Sequence, residues 1–188
     1  MGLGFLLPNS LRIWKELRVP VYFYQAAARR PECARLELVR KGAAAGLPPD
    51  IGGAAHPTAG CCVVGARGRL VAWNIILASG EITAARAIAR GIRESAGGLP
   101  AVKALGLALP SRGQVQVSVI LTDFRRTALH EVFAAVEARA RELGIRVEGS
   151  ELIGMIPQAA LDGSAGHNLR WLNMSPRLVL EERLRELR

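Results

Sequence analysis

The strongest constraint on this chain is a change of hydrophobic period that recurs in a fixed order between Leu70 and Val147. Leu70 to Leu77 is a β-rich run, after which Ile82, Ala85, Ile88, Ala89 and Ile92 fall at helical spacing and Gly97-Gly98 ends the helix. Val102 to Leu109 and Val115 to Leu121 are two further β-rich runs, joined through Pro110-Ser111-Arg112-Gly113, a composition suited to a hairpin turn. Thr127 offers an N-cap before Leu129, Val132, Phe133, Val136 and Ala140. Gly144 closes this second helix, and Ile145 to Val147 reads as a last short strand. Strand, helix, strand, strand, helix, strand is the order of a split βαβ fold. It predicts an α+β, ferredoxin-like βαββαβ unit in which Ile82 to Ile92 and Leu129 to Leu143 cover one face of a four-stranded antiparallel sheet.

The flanks are less regular. Asn9-Ser10 form a cap-like pair ahead of Leu11, Ile13, Trp14 and Leu17 at helical spacing, and Val19 to Tyr24 reads as a short aromatic strand. A short helix is predicted from Glu32 to Val39. Gly42 to Gly60, crowded with Gly, Ala and Pro, reads as a linker or a long functional loop. Cys61 to Gly65 is another β-rich run, separated from Leu70 by Ala66-Arg67-Gly68-Arg69. Leu178, Leu180, Leu184 and Leu187, set among charges from Pro176 to Arg188, predict an amphipathic closing helix.

Composition narrows the class. With 188 residues, 50% hydrophobic and 22% charged, the chain buries a core and is not disordered. Its 25 Lys+Arg against 16 Asp+Glu, a formal +9, attract anions: nucleic acid, acidic lipid or a polyanionic small molecule. Cys33, Cys61 and Cys62 have no metal-type spacing and read as reduced thiols of a cytoplasmic protein. The opening apolar run is broken by Pro8 before it reaches membrane-spanning length, so neither export nor insertion is expected.

No catalytic or metal-binding set is complete from the residues. His130 sits inside an amphipathic helix and reads as a half-buried helix residue, and His167 as a solvent-exposed loop residue. His56, in Ala-His-Pro-Thr-Ala-Gly, lies on a loop where close approach of a ligand and plain exposure are equally compatible with the pattern. Gly52-Gly53 and Gly65-Ala66-Arg67-Gly68 lack the endings of phosphate-binding loops. Arg67 suits either a turn or a carboxylate contact. Lys103, Gln114 and Gln116 place polar groups along otherwise apolar strands, and the pattern alone favours a solvated charge at Lys103.

A series of segments in order resembles glutamate formiminotransferase, the formiminotransferase domain of formiminotransferase-cyclodeaminase. They are Val19 to Tyr24 with Ala26 to Arg29, Pro49-Asp50-Ile51-Gly52, His56 to Gly60, Val64 to Arg67, Ala72-Trp73-Asn74, Gly97 to Leu99, Val102 to Gly106, Val115 to Ser118, Leu121 to Phe124 and Gly149 to Gly154. The resemblance runs from about Val19 to Leu161. It implies a transferase of one-carbon groups, moving formimino or formyl between tetrahydrofolate and glutamate in cytoplasmic histidine degradation. Tetrahydrofolate, polyglutamylated, is implied as substrate, held in a basic tunnel between two similar ferredoxin-like subdomains.

Carried over by position, the resemblance implies folate or substrate contacts at Pro49, Asp50, Gly52, His56, Arg67, Asn74, Lys103 and Gln116, and a domain division in three. Residues 1–60 would be the remnant of an amino-terminal subdomain with a linker loop, 61–165 a carboxy-terminal-like subdomain, and 166–188 a helical tail. The family's catalytic histidine would lie before Leu11, so the resemblance implies no catalytic residue here. A folate-binding half is expected, inactive alone or dependent on a separate amino-terminal half or a homodimer. Two asparagines usual in the family, two residues beyond Asn74 and just before Leu121-Thr122-Asp123, are Ile76 and Ile120 here; an isoleucine neither donates nor accepts.

Two other classes fit a basic ferredoxin-like sheet. One is a nucleic-acid-binding module, disfavoured because Val102 to Leu109 and Val115 to Leu121 hold no aromatic on which a base could stack. The other is an oligomerisation module.

Overall fold

The computed structural model describes residues 3–187; Met1 and Gly2 of the opening apolar run and Arg188 of the expected closing helix lie outside them. The chain divides into two compact units, Met1–Arg67 and Gly68–Arg188.

The second unit is the predicted βαββαβ fold. Its elements are β3 (Val71–Leu77), α3 (Ile82–Ile92), β4 (Val102–Leu109), β5 (Gln114–Leu121), α4 (Leu129–Glu142) and β6 (Val147–Ile153). The sheet order is β4-β5-β3-β6, and all three pairings are antiparallel. Alternation decides the faces. Val71, Trp73, Ile75 and Leu77 of β3 and Val115, Val117, Val119 and Leu121 of β5 are buried with Ala85, Ile88, Ala89 and Ile92 of α3 and with Leu129, Val132, Phe133, Val136 and Ala140 of α4. Trp73, almost fully buried, meets Trp171 edge-on at 6.3 Å between centroids. Burial of one such ring is worth about 4 to 6 kcal/mol gross by area. Gly106 lets α3 press onto β4: a Cβ there would stand 2.3 Å from Arg86 N and 2.4 Å from the Ala85 carbonyl carbon.

The end of the chain is woven into this unit. Trp171 bridges Ser150 in parallel, Ser150 Oγ donates to Leu169 O at 2.6 Å, and Leu169 belongs to the core. A short helix α5 (Gln158–Asp162) and a final helix α6 (Leu180–Glu186) follow β6. Glu181 accepts the Gln158 N–H at 2.8 Å and joins the two helices.

The first unit holds α1 (Leu3–Leu17), β1 (Val21–Gln25), α2 (Leu36–Ala44) and β2 (Cys62–Ala66). β1 and β2 form a two-stranded parallel sheet. Tyr22, Cys33 and Val39 make a small core with Val63 and Leu47 packed against it.

Several local readings are corrected. Asn9-Ser10 lie inside α1, where Ser10 Oγ donates back to Leu6 O at 2.8 Å instead of capping. The stretch expected as one helix from Glu32 is split: Pro31–Cys33 is a 3₁₀ turn, Arg35 is extended, and α2 starts at Leu36. Thr127 does not cap α4. It is buried, its hydroxyl donates to Pro100 O at 2.7 Å, and the helix start is closed by Glu131 accepting the Ala128 N–H at 2.6 Å. The last strand begins at Val147 and runs to Ile153, past the three residues expected.

Candidate functional site

Two groups of candidate residues stand in separate units. In the second unit, antiparallel register sets the side chains of the helix-free sheet face in rows. The first row reads Ile153, Ala72, Ile120, Lys103; the second Glu151, Asn74, Ser118, Leu105; the third Gly149, Ile76, Gln116, Leu107. Asn74 and Gln116 are therefore diagonal neighbours, roughly 7 to 8 Å apart. Lys103 is one row and two strands from Asn74, about 12 Å away by strand spacing. The face brings together Asn74, Ser118 and Gln116 and leaves Lys103 at its rim. Ser118, directly opposite Asn74, was missed in the sequence because a serine in an apolar strand carries no motif.

The two isoleucines at family asparagine positions lie on this same face, each beside a candidate residue: Ile76 opposite Gln116 and Ile120 opposite Lys103. They differ in exposure. Ile76 is 1% exposed and Ile120 38%. From the β4–β5 turn Arg112 reaches Glu151 on β6 at 2.7 Å. Gln116 is buried, and Asn74 and Lys103 are half-buried.

In the first unit, the segment Leu47–Ile51 is tied to β1 and to Arg30 by a series of hydrogen bonds. Tyr22 Oη donates to Leu47 O at 2.6 Å and Arg30 to Pro48 O at 2.7 Å. The Asp50 and Ile51 N–H groups both reach Val21 O, and the Val21 N–H donates to Ile51 O. Asp50 Oδ2 accepts the Phe23 N–H at 2.7 Å and stands 3.6 Å from Arg30. Asp50 thus closes the outer edge of β1. Gly52 has φ +94°, and a Cβ on it would enter the Trp14 ring at 2.6 Å, so both its backbone and its neighbour demand glycine. Pro49 is half-buried in the loop, and Arg67 is exposed on the connection after β2.

The histidines divide by role. His56 Nδ1 lies 3.1 Å from the Ala59 N–H and 3.3 Å from that of Thr58, an acceptor for its own turn, which the His56–Gly60 bridge closes. His130 and His167 stack at 3.9 Å and 9° on the helical side of the second unit, with Ser164 Oγ 3.2 Å from the His130 N–H. Their sequence separation hid this pairing. No histidine belongs to the rows of the open sheet face. Among the described residues no His/Cys/Asp/Glu cluster could hold a metal ion, and no helix is long and apolar enough to cross a membrane. The three cysteines are free; burial raises the Cys62 thiol pKa, and burial foremost raises that of the Tyr22 phenol.

A βαββαβ sheet with both helices on one face, and with amide, hydroxyl and ammonium side chains spread over three rows of the other, defines the α+β, ferredoxin-like class. Comparison with known proteins makes it particular. A model of the formiminotransferase domain matches residues 72–185, and one of that domain's N-terminal subdomain matches residues 9–67. The chain belongs to the formiminotransferase-domain family.

It is 40% identical over 169 residues to a glutamate formimidoyltransferase of Streptococcus pyogenes serotype M1, covering 85% of this chain and 56% of the relative. It is 30% identical over 184 residues to that of Thermoplasma acidophilum, covering 92% and 61%. With the formimidoyltransferase-cyclodeaminase of Mus musculus the identity is 39% over 171 residues, covering 82% and 31%. The chain spans about half the length of the glutamate formimidoyltransferases it matches.

Proposed function

We propose that this chain takes part in formimino or formyl transfer between tetrahydrofolate and glutamate in the cytoplasm, and that it binds the folate. The observation that carries this reading is the match of two formiminotransferase models in series along one chain, at residues 9–67 and 72–185. On the open sheet face Asn74 and Ser118 offer donors and acceptors suited to a pterin or amide edge, with Gln116 buried beside them. Lys103 at the rim offers a cation for the carboxylates of a polyglutamate tail. Pro49, Asp50, Gly52, His56 and Arg67 are a second contact group in the first unit. There, Asp50 and Gly52 act chiefly by holding the loop in shape.

Transfer requires a proton to leave the attacking folate nitrogen and one to reach the departing glutamate amine, so an acid/base group must stand at the reacting atoms. None of the three imidazoles lies on the open sheet face: His56 sits in its own turn in the first unit, and His130 stacks on His167. We therefore assign the acid/base to a group outside this chain's open sheet face, supplied by a separate amino-terminal half. The chain alone should bind but not turn over. An aromatic-free face, with Leu105, Leu107 and Ile120 exposed on it, gives nucleic-acid bases nothing to stack on.

The test is titration calorimetry of mono- and polyglutamate tetrahydrofolate at low and moderate salt, with Lys103→Ala and Arg67→Ala alongside. Affinity should rise with each glutamate and fall with salt, and each variant should lose roughly fivefold, about 1 kcal/mol. Equal affinity for both folates, no salt dependence and no loss in either variant would overturn the reading. Single-stranded RNA binding at least as well would reduce the site to a merely basic surface.

A further inference from the structure

The pairing in the first unit leaves one strand edge open. In a parallel ladder alternate residues turn their N–H and C=O to opposite sides. The Cys62 N–H donates to Pro20 O and the Ala26 N–H to Ala66 O, so Cys62, Val64 and Ala66 address β1 while Val63 and Gly65 face outward. On β1 the outward residues are covered: Val21 pairs with Ile51, and the Phe23 N–H is held by Asp50. Among the described residues the outward main-chain groups of Val63 and Gly65 have no partner.

This edge lacks the protections strands ordinarily carry. Cys62–Ala66 reads Cys-Val-Val-Gly-Ala, without charge, proline or bulge, and all five residues are half-exposed. Uncharged apolar edges of this kind invite a further strand. A sheet of two strands is also marginal, and a third strand is the usual remedy. Charge indicates what brings that strand: residues 1–67 carry nine Lys/Arg against four Asp/Glu. A second copy with the same excess is repelled, and an acidic chain is attracted.

We propose that the outer edge of β2 is a docking edge for an extended apolar strand of an acidic polypeptide, paired through the N–H and C=O of Val63 and Gly65. Such strand addition draws affinity from the main chain and selectivity from the flanking charge. It does not depend on the transferase reading.

The experiment is amide hydrogen exchange on the full chain, alone and with a synthetic Val/Thr-alternating peptide ended by glutamates or, in a second arm, by lysines. In the chain alone the Val63 and Gly65 amides should exchange fast while those of Cys62, Val64 and Ala66 are protected. The glutamate-ended peptide should slow the first two at least ~10-fold, the lysine-ended one far less. Val63→Pro removes the outward N–H without touching the bonds to β1 and should abolish the effect. Val63→Ala, which loses a similar packing contact but keeps the N–H, should retain it. Slow exchange at Val63 and Gly65 in the chain alone, or no added protection by the acidic peptide, would overturn the proposal even if Val63→Pro fails to fold. So would equal protection by both peptides, or protection that grows with the chain's own concentration, which would mean a second copy on the edge.

Discussion

Asp50 is the residue at which a ligand role and an architectural role can be separated most sharply. It belongs to the loop that resembles a folate-binding segment, yet its carboxylate accepts the Phe23 N–H at 2.7 Å and faces Arg30 at 3.6 Å, with its side chain 5% exposed. In Asp50→Ala the Phe23 N–H loses its acceptor on a strand edge, which costs about 1 to 3 kcal/mol. Arg30, already holding an Nε without a partner, loses its carboxylate as well. Removing one partner of such a buried pair brings the total to roughly 3 kcal/mol. Asp50→Asn keeps an oxygen for Phe23 and should cost about half as much. The readout is urea unfolding followed by amide exchange at Phe23, whose protection should collapse in Asp50→Ala and persist in Asp50→Asn. Stability within about 0.5 kcal/mol of the parent, together with a large loss of tetrahydrofolate affinity, would refute the reasoning and make Asp50 a ligand contact first.

Ile120→Asn should leave stability within about 0.5 kcal/mol, because the site is half open, and should strengthen folate binding if the face is the site; Ile76→Asn, in a buried place, should cost about 2 kcal/mol or more. Calorimetry and urea melts of the two variants check both. Gly106→Ala should destabilise the second unit by about 1 to 3 kcal/mol, since the new methyl meets helix backbone that must move as a whole; urea midpoints decide. The Glu181 carboxyl is held below its ordinary range chiefly by the Gln158 N–H, with Arg69 and Arg185 assisting. Its folded pKa lies below the unfolded one, so the α5–α6 tie is present above the ordinary carboxylate range and is lost as pH falls through the folded value. Gln158 amide protection should drop over that acidic window, and Glu181→Gln should flatten the dependence.

The βαββαβ order was legible because each element of the second unit repeats its own period: Val71, Trp73, Ile75 and Leu77 alternate, and Ile88, Ala89 and Ile92 recur on one helix face. Local chemistry also settled the β4–β5 hairpin and the stop of α4 at Gly144, but not that of α3, which ends at Ile92 with Arg93 extended, while Gly97 closes only the 3₁₀ turn Glu94–Ala96. Register, packing and caps were not local. Thr127 looks like a cap in the chain, but in the fold its hydroxyl donates to Pro100 O, 27 residues away. The His130–His167 stack, the Ser118 position opposite Asn74 and the parallel pairing of β1 with β2 join residues that no spacing rule connects. Hydrophobic period is a property of neighbours along the chain and survives in the bare sequence. Which polar group meets which is decided when distant backbone groups compete for the same donors, and only the folded chain holds that competition.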